Sequence, residues 1–359
     1  MTDTLRVSQV DSKRVSEFTE LSRMGTQALH LQDIRHVFWK YAERPGTSSV
    51  AADLVDGDQV VGRLWLTWRS WLIQGRVVEI GQPWDFLILP DHRQVKNVAR
   101  LLNSVFNLAS EPTGLYCHGS NPNSEPIYRT LFKRSPNISL TVSFCPLRPL
   151  RLTNYLVRRF LGRDSESQTV STTPTLLARL IGRALHSPRV VLKSEDTNAR
   201  SEQFEDQFHQ EQIASANRKH DWRTWRFDEV SGISYVMKWI YVDNALVGYI
   251  AWTDTSYLGL NVRAIVDFAI LERVSRREVI GVLSDVIGSS SSDGLLFMGN
   301  ARNPTLSRIM RFPFVRIPER LLPQSINLYF RRKSSDRDQA VDDTEVLQSY
   351  VTLYDLDFF

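Results

Sequence analysis

The chain repeats itself, and the repeat limits what it can fold into. The run D-G-D-Q-V-V-G-R-L-W-L-T at 56–67 superposes without a gap on V-D-N-A-L-V-G-Y-I-A-W-T at 242–253. The same offset of 186 carries Trp39-Lys40-Tyr41 onto Trp225-Arg226-Phe227. Further on the offset drifts by a few residues. Asp85-Phe86-Leu87-Ile88-Leu89 then falls on Asp267-Phe268-Ala269-Ile270-Leu271, Gly114-Leu115 on Gly294-Leu295, and Asn121-Pro122 on Asn303-Pro304. A period this long exceeds the roughly 20–50 residues of a solenoid repeat. It reads as a duplicated domain, so each copy interprets the other.

Length and composition agree with two domains. The 359 residues suffice for two units of about 100–200 residues, and 42% hydrophobic residues supply their cores. No apolar run reaches the roughly 18 residues of a membrane span, the N-terminus M-T-D-T-L-R-V-S has no apolar signal core, and two cysteines make no disulfide framework, which together point to the cytoplasm. The net charge of +4 is too small to imply DNA. No CxxC pair, His-rich cluster, HExxH or GxSxG run appears, so neither a metal site nor a serine hydrolase is expected.

The element pattern predicts a mixed α/β fold. Residues 14–33 have helical apolar spacing, 49–55 and 59–67 are β-rich on either side of Asp56-Gly57-Asp58, and 76–80 with 84–89 form a strand pair or one long bulged strand. Residues 94–108 predict an amphipathic helix, 115–118 a short strand, 123–132 a helix and 138–144 a strand. The order recurs in the second copy. Domains are expected at 1–147 and 196–332, joined by a basic helical linker at 148–195 and followed by an acidic tail with a final strand at 346–359. Within the linker, Thr173-Pro174 opens a helix with Leu176, Leu177, Leu180, Ile181, Ala184 and Leu185 on one side and Arg179 and Arg183 on another. It reads as packed between the domains. The alternative is weak contact of 174–185 with a membrane surface.

The chemistry concentrates where the strand ending at Leu89 meets the helix opening near Gln94. A helix N-terminus offers free N–H groups and a positive dipole end to phosphates, and Arg93, Lys96 and Arg100 add cations there. Here Gln94-Val95-Lys96-Asn97-Val98-Ala99 resembles the phosphate-loop signature of the GNAT acyltransferase superfamily, with Asn97 in place of the middle Gly. The resemblance implies two tandem GNAT-like domains. It implies that this loop and Arg100 cradle the pyrophosphate of acetyl-CoA or another acyl-CoA, and that Leu87, Ile88 and Leu89 pair with the pantetheine arm. Asn121, Tyr128 and Phe132 resemble the family's downstream Asn, Tyr and aromatic, which makes Asn121 a cofactor contact and Tyr128 the candidate acid for the departing thiolate. The second copy has Met310 where Tyr128 stands, and Glu278-Val279-Ile280-Gly281-Val282-Leu283 in place of the loop. The tandem arrangement and the closing T-L-Y-D-L-D-F-F resemble double-GNAT proteins of polysaccharide and secondary-metabolite pathways.

Attack of an amine or hydroxyl on a thioester needs a base. Glu79 is a candidate because the second copy lacks it. His118 is another, with a structural histidine as its plainer reading. Asp85 recurs as Asp267, which favours a shared structural role over substrate binding. Trp68 and Trp71 either line an acceptor pocket or pack in the core. Acyl transfer from coenzyme A to a small or sugar-like acceptor bound between the domains is the leading expectation. A non-catalytic binding protein and an aminoacyl-tRNA-dependent peptidyl transferase are the alternatives.

Overall fold

The computed structural model describes residues 4–26, 28–46, 49–108, 114–119, 126, 129–130, 137–160, 174, 176–196, 198–227, 233–257, 259–319, 322, 326–332 and 346–355. In the first copy these form β1 (Thr4–Gln9), α1 (Ser12–Gly25), α2 (Ile34–Tyr41), β2 (Val50–Asp56), β3 (Gln59–Ile73), β4 (Arg76–Ile88), α3 (Val95–Leu108) and β5 (Gly114–Gly119). Then come β6 (Asn137–Ser139), β7 (Thr141–Pro146), α4 (Pro149–Phe160) and α5 (Leu176–Leu185). The second copy contributes β8 (Val190–Lys193), α6 (Asn198–Glu211), β9 (Ala214–Ala216), α7 (His220–Arg226), β10 (Val236–Val242), β11 (Ala245–Tyr257), β12 (Leu260–Ile270), α8 (Arg276–Gly288) and β13 (Gly294–Gly299). It ends in α9 (Pro304–Ile309), β14 (Val315–Arg316) and β15 (Asn327–Arg332).

The fold is mixed α/β, and the repeat reaches further than the sequence pattern indicated. The predicted basic linker contains β8, an edge strand antiparallel to β10, just as β1 is antiparallel to β2. The predicted helix 14–33 is two pieces, because α1 stops at Gly25. A Cβ there would lie 3.1 Å from the Leu87 side chain, so α1 and β4 approach closely at that point. The β2–β3 turn carries Gly57 at φ 59°, and its counterpart carries Asp243 and Asn244 at φ 48° and 67°. Gly, Asp and Asn are the residue types that tolerate this backbone in a two-residue hairpin.

The two sheets have matching strand orders: β1-β2-β3-β4-β5-β15-β6, and β8-β10-β11-β12-β13-β7-β14. Each takes its sixth strand from the other copy's stretch of sequence. β15 pairs antiparallel with β5 along Asn327–Arg332, and β7 pairs antiparallel with β13 along Thr141–Pro146. The predicted strand at 138–144 therefore breaks at Leu140, with β6 in one sheet and β7 in the other. Compact units accordingly comprise 1–138, 216–232 and 326–346, and 139–215, 233–325 and 347–359, rather than halves divided at 147 and 196.

In the first unit, Val15, Phe18, Leu21, Val37 and Tyr41 pack with Trp65, Trp84 and Leu87 on one side of the sheet. Leu101, Leu102 and Val105 of α3 pack with Leu54, Leu64, Leu66 and Ile88 on the other. On the α1 side, Arg63 is fully buried, bonded to Asp53, to Glu17 at 2.9 Å and to the Arg14 carbonyl. A buried guanidinium needs such complete pairing. In the second unit α5 lies on α8, and the small residues Ala178 and Gly182 make the contact while Leu176, Leu177 and Leu180 face outward. This corrects the expectation of a buried leucine stripe. Gly182 is there because a Cβ would lie 2.9 Å from the Gly288 Cα. Among the described residues the tail forms no extended strand. Its described part makes isolated bridges at Tyr350 and Thr352 and a short 3-10 turn at Leu353–Asp355.

Candidate active site

A gap opens between two neighbouring strands of the first sheet. β4 and β5 are parallel and in register only at Ile80–Gly114 and Gly81–Leu115, although the strands continue to Ile88 and Gly119. The cause lies in β4. Asp85 has φ 43°, and the β3–β4 register slips between Arg63 and Trp65. A bulge of this kind bends a strand away from its neighbour. The strained residue is held by its carboxylate, which accepts from the Tyr41 hydroxyl and from Lys40 Nζ at 2.7 Å. Lys40 is buried and lies 5.0 Å from the centre of the Trp84 ring. Asp85 is thus engaged structurally. Asp267, its counterpart, is fully buried and accepts from the Tyr249 hydroxyl at 2.6 Å.

The second sheet has the same parting, and the chain's own end fills it. β12 and β13 pair from Val262–Gly294 to Ile265–Phe297 and then separate. Into that space comes the segment 350–352. The Tyr350 hydroxyl donates to the Phe268 carbonyl at 2.5 Å, and Thr352 Oγ1 donates to Asp267 Oδ1 at 2.8 Å. Thr352 also bridges Gly299, whose other side pairs with Thr141 of β7, and Asn300 N–H donates to the Val351 carbonyl at 3.0 Å. In the first unit, no described residue bridges the corresponding gap.

The helix that follows the gap differs between the copies in the same sense. A 3-10 turn at Pro90–His92 leads to α3, where Gln94 O accepts from Asn97 N and Val98 N at 2.9 and 3.1 Å. The N–H groups of Val95 and Lys96 lie in the helix's first turn, where no intrahelical partner exists. Arg93, Gln94, Val95, Lys96 and Ala99 are exposed, while Val98 and Arg100 are half-buried. Asn97 is fully buried, and its Nδ2 donates to the His92 carbonyl at 3.1 Å, tying the turn to the helix. In the second copy, α8 begins with Ser275 and Glu278 in a reciprocal capping box, and Arg189 Nη1 lies 3.3 Å from the Glu278 carboxylate. That carboxylate occupies the position an external anion would take.

The leucines before the loop face the cores. Leu87 and Ile88 are buried on opposite sides of the sheet, and the Leu89 N–H donates to the Val61 carbonyl at 2.9 Å. Backbone alternation then turns Ile88 toward the gap, and its carbonyl accepts from Arg93 Nε at 2.9 Å. Glu79 stands immediately before Ile80 and Gly81, the two residues of β4 that pair with β5. Ser70 Oγ donates to its Oε1, and its Oε2 is buried with no hydrogen bond among the described residues. Glu79 and Ser70 are opposite one another across β3 and β4, as are Gly81 and Trp68, which places Trp68, Ser70 and Glu79 on one face. Trp68 is half-buried against the α3 core. Trp71 is 1% exposed and edge-on to Phe330 at 5.6 Å, so it belongs to the core and lines no pocket. The backbone of His118 pairs with Leu328. The His118 side chain, Asn121, Tyr128 and Phe132 lie outside the described residues.

Sequence reasoning did not find Lys40, Tyr41 or the 350–352 segment. Lys40 and Tyr41 were visible only as part of the repeated Trp-Lys-Tyr triplet. No local pattern announces a tail that enters a distant sheet.

No protein-family model and no curated protein matches the sequence. Solved structures do resemble it. A GCN5-related N-acetyltransferase from Anabaena variabilis has a TM-score of 0.58 at 11% identity, over 92% of this chain and 73% of that one. A probable N-acyltransferase from Enterococcus faecalis has a TM-score of 0.55 at 11% identity, over 92% and 72%. The Saccharomyces cerevisiae N-myristoyltransferase with bound myristoyl-CoA has a TM-score of 0.55 at 8% identity, over 92% and 80%. At these identities the likeness is one of fold: the chain has the GNAT fold.

Proposed function

We propose that the first copy binds an acyl-CoA thioester and transfers the acyl group to an amine or hydroxyl of a small or sugar-like acceptor. The observation that carries the reading is the asymmetry of two equivalent gaps. The first is unbridged among the described residues and leads to a cationic helix N-terminus. The second holds residues 350–352, and its helix is capped by Glu278. Arg93, Lys96 and the first-turn N–H groups of α3 suit a pyrophosphate. The edge of β4 beyond Gly81, where β5 has parted from it, suits an extended amide-bearing arm, because a strand edge accepts another strand-like partner. Glu79 takes the proton from the attacking acceptor, and Trp68 flanks that acceptor. By resemblance Tyr128 protonates the departing sulfur. The tandem arrangement fits a protein of polysaccharide or secondary-metabolite assembly.

Isothermal titration with coenzyme A and acetyl-CoA tests the reading. One site per chain is expected, with affinity lowered about tenfold, or ~1.4 kcal/mol, by Lys96→Glu. Absence of both heat and thermal shift at millimolar ligand sinks it. Asn97 supports one other reading, a binding protein without turnover, because its side chain braces the loop where the family signature has Gly. Cofactor binding without thiol release in the presence of any acceptor amine or sugar would select that alternative.

A further inference from the structure

The outward face of α5 is built unlike the face of an ordinary soluble helix. Its buried side consists of Ala178 and Gly182, pressed onto Ser284 and Gly288 of α8. The large apolar residues are turned to solvent: Leu176 is 75% exposed, Leu180 52% and Leu177 37%. Arg179 and Arg183, expected on another side of the helix, are both exposed and lie beside Leu176 and Leu180 at i+3, i+4 and i+7 spacing, which corrects that expectation. Neither makes an ion pair among the described residues. Single exposed leucines need no explanation, but three on one helix face form a patch.

A groove of about 560 Å³ runs beside this face between α5 and α8, lined by Arg179, Arg183, His186, Ser284, Asp285 and Ser289. The one acid among these is Asp285, which faces His186 at 3.7 Å. Near the end of the Ser284–Asp293 stretch, Arg148 donates to the Ser291 carbonyl at 2.9 Å and Arg151 pairs with Asp293 at 3.2 Å. Leu150 between them is 87% exposed.

We infer that α5 and the adjoining groove form a docking surface for a membrane rich in anionic phospholipids, with the leucines entering the headgroup boundary and the arginines pairing with lipid phosphates. Charge complementarity selects this occupant. An interfacial helix binds through apolar residues in the acyl boundary with cations beside them, and each Lys or Arg near an anionic surface adds to the attraction. A protein partner burying the same leucines would also have to pair two unpartnered guanidinium groups. The inference does not depend on acyl transfer.

Flotation of the full chain with vesicles tests it. The protein should rise with phosphatidylcholine–phosphatidylglycerol vesicles, stay behind with phosphatidylcholine alone, and dissociate as salt is raised. Arg179→Gln with Arg183→Gln, and separately Leu176→Ser with Leu180→Ser, should each weaken binding about tenfold or more. Because these side chains are exposed, coenzyme A titrations and thermal midpoints of the variants should match the parent. No association with anionic vesicles, or equal association of parent and variants, overturns the inference. So does release of the protein from vesicles by millimolar inorganic phosphate at constant ionic strength, which assigns the groove to a free anion. A parent dimer that the leucine variant turns to monomer in sedimentation velocity overturns it as well, assigning the patch to a second copy of the chain.

Discussion

Trp39 and Trp225 exchange the same bond: each indole N–H donates to the other's backbone carbonyl at 3.0 Å, and the rings stack with centroids 4.8 Å apart at 16°. They are 186 residues apart, the offset of the repeat itself. The two tryptophans occupy equivalent positions of the duplicated sequence, and both lie within the first compact unit. Arg44 reinforces the pair, its guanidinium 5.3 Å from the Trp225 ring and 5.0 Å from Trp222. Replacing either tryptophan by Phe keeps the stack but leaves a carbonyl without its donor. Each change should cost about 1–3 kcal/mol, read from urea unfolding. If both are neutral, the reciprocal bonds contribute nothing to stability.

Asp85 offers a test of structural against substrate-binding roles. Asp85→Asn leaves Lys40 buried beside a neutral side chain, and breaking a buried pair in this way costs about 3–5 kcal/mol. The expected result is a large drop in thermal midpoint. A variant of parental stability that has lost only acceptor affinity would reverse the assignment.

Strands, turns and the asymmetry of the two copies could be read directly, because alternation, Asp-Gly turns and a missing Tyr are local signals. The GNAT fold was legible because Gln94 to Ala99 and Asn121 to Tyr128 are local runs in the first copy, and the repeat carried the element order to the second. Three things were not. The crossing of β7 and β15 into opposite sheets depends on where Leu140 and Ile326 lie in space, and both strands read equally well in either sheet. The leucines of α5 were expected inside because periodicity identifies an apolar stripe, not what covers it; Gly182 against Gly288 is what decides. The filling of the second gap rests on Tyr350 and Thr352, whose partners lie over 80 residues away.

Glu79 should behave as the base of the proposed reaction. Glu79→Gln keeps an acceptor for the Ser70 hydroxyl but cannot take a proton. The expected loss in kcat is about 10²–10⁴, with KM for the acyl-CoA unchanged. Ser70→Ala removes only the positioning bond and should cost less. A matched loss in both variants, or a change confined to KM, would mark Glu79 as a packing residue.

The tail segment should be part of the second unit's core. Thr352→Val keeps the shape of the side chain and removes its bond to the buried Asp267 carboxylate, which should cost about 1.5–3 kcal/mol, the range for bonds to charged groups. Removing residues 347–359 should cost far more and expose apolar surface to a hydrophobic dye. A truncated chain with the parent's unfolding midpoint would show that the gap needs no filler.

Cys145 gives the structure a pH dependence. It is buried on β7, and burial raises its thiol from 9.0 to about 11, since desolvation penalises the thiolate. The folded chain therefore holds this proton more tightly than the unfolded one. The stabilisation is fully present below pH 9 and is lost as pH rises toward 11, about 2–3 kcal/mol in all at 1.36 kcal/mol per unit. Other alkaline titrations are common to parent and Cys145→Ala, so the difference between their unfolding free energies isolates this contribution. The parent should lose stability faster than the variant from pH 9 to 11, and its Cys145 should resist alkylation at pH 8 until the chain unfolds. Parallel curves for the two proteins, or rapid alkylation of native Cys145, would place the thiol in contact with water.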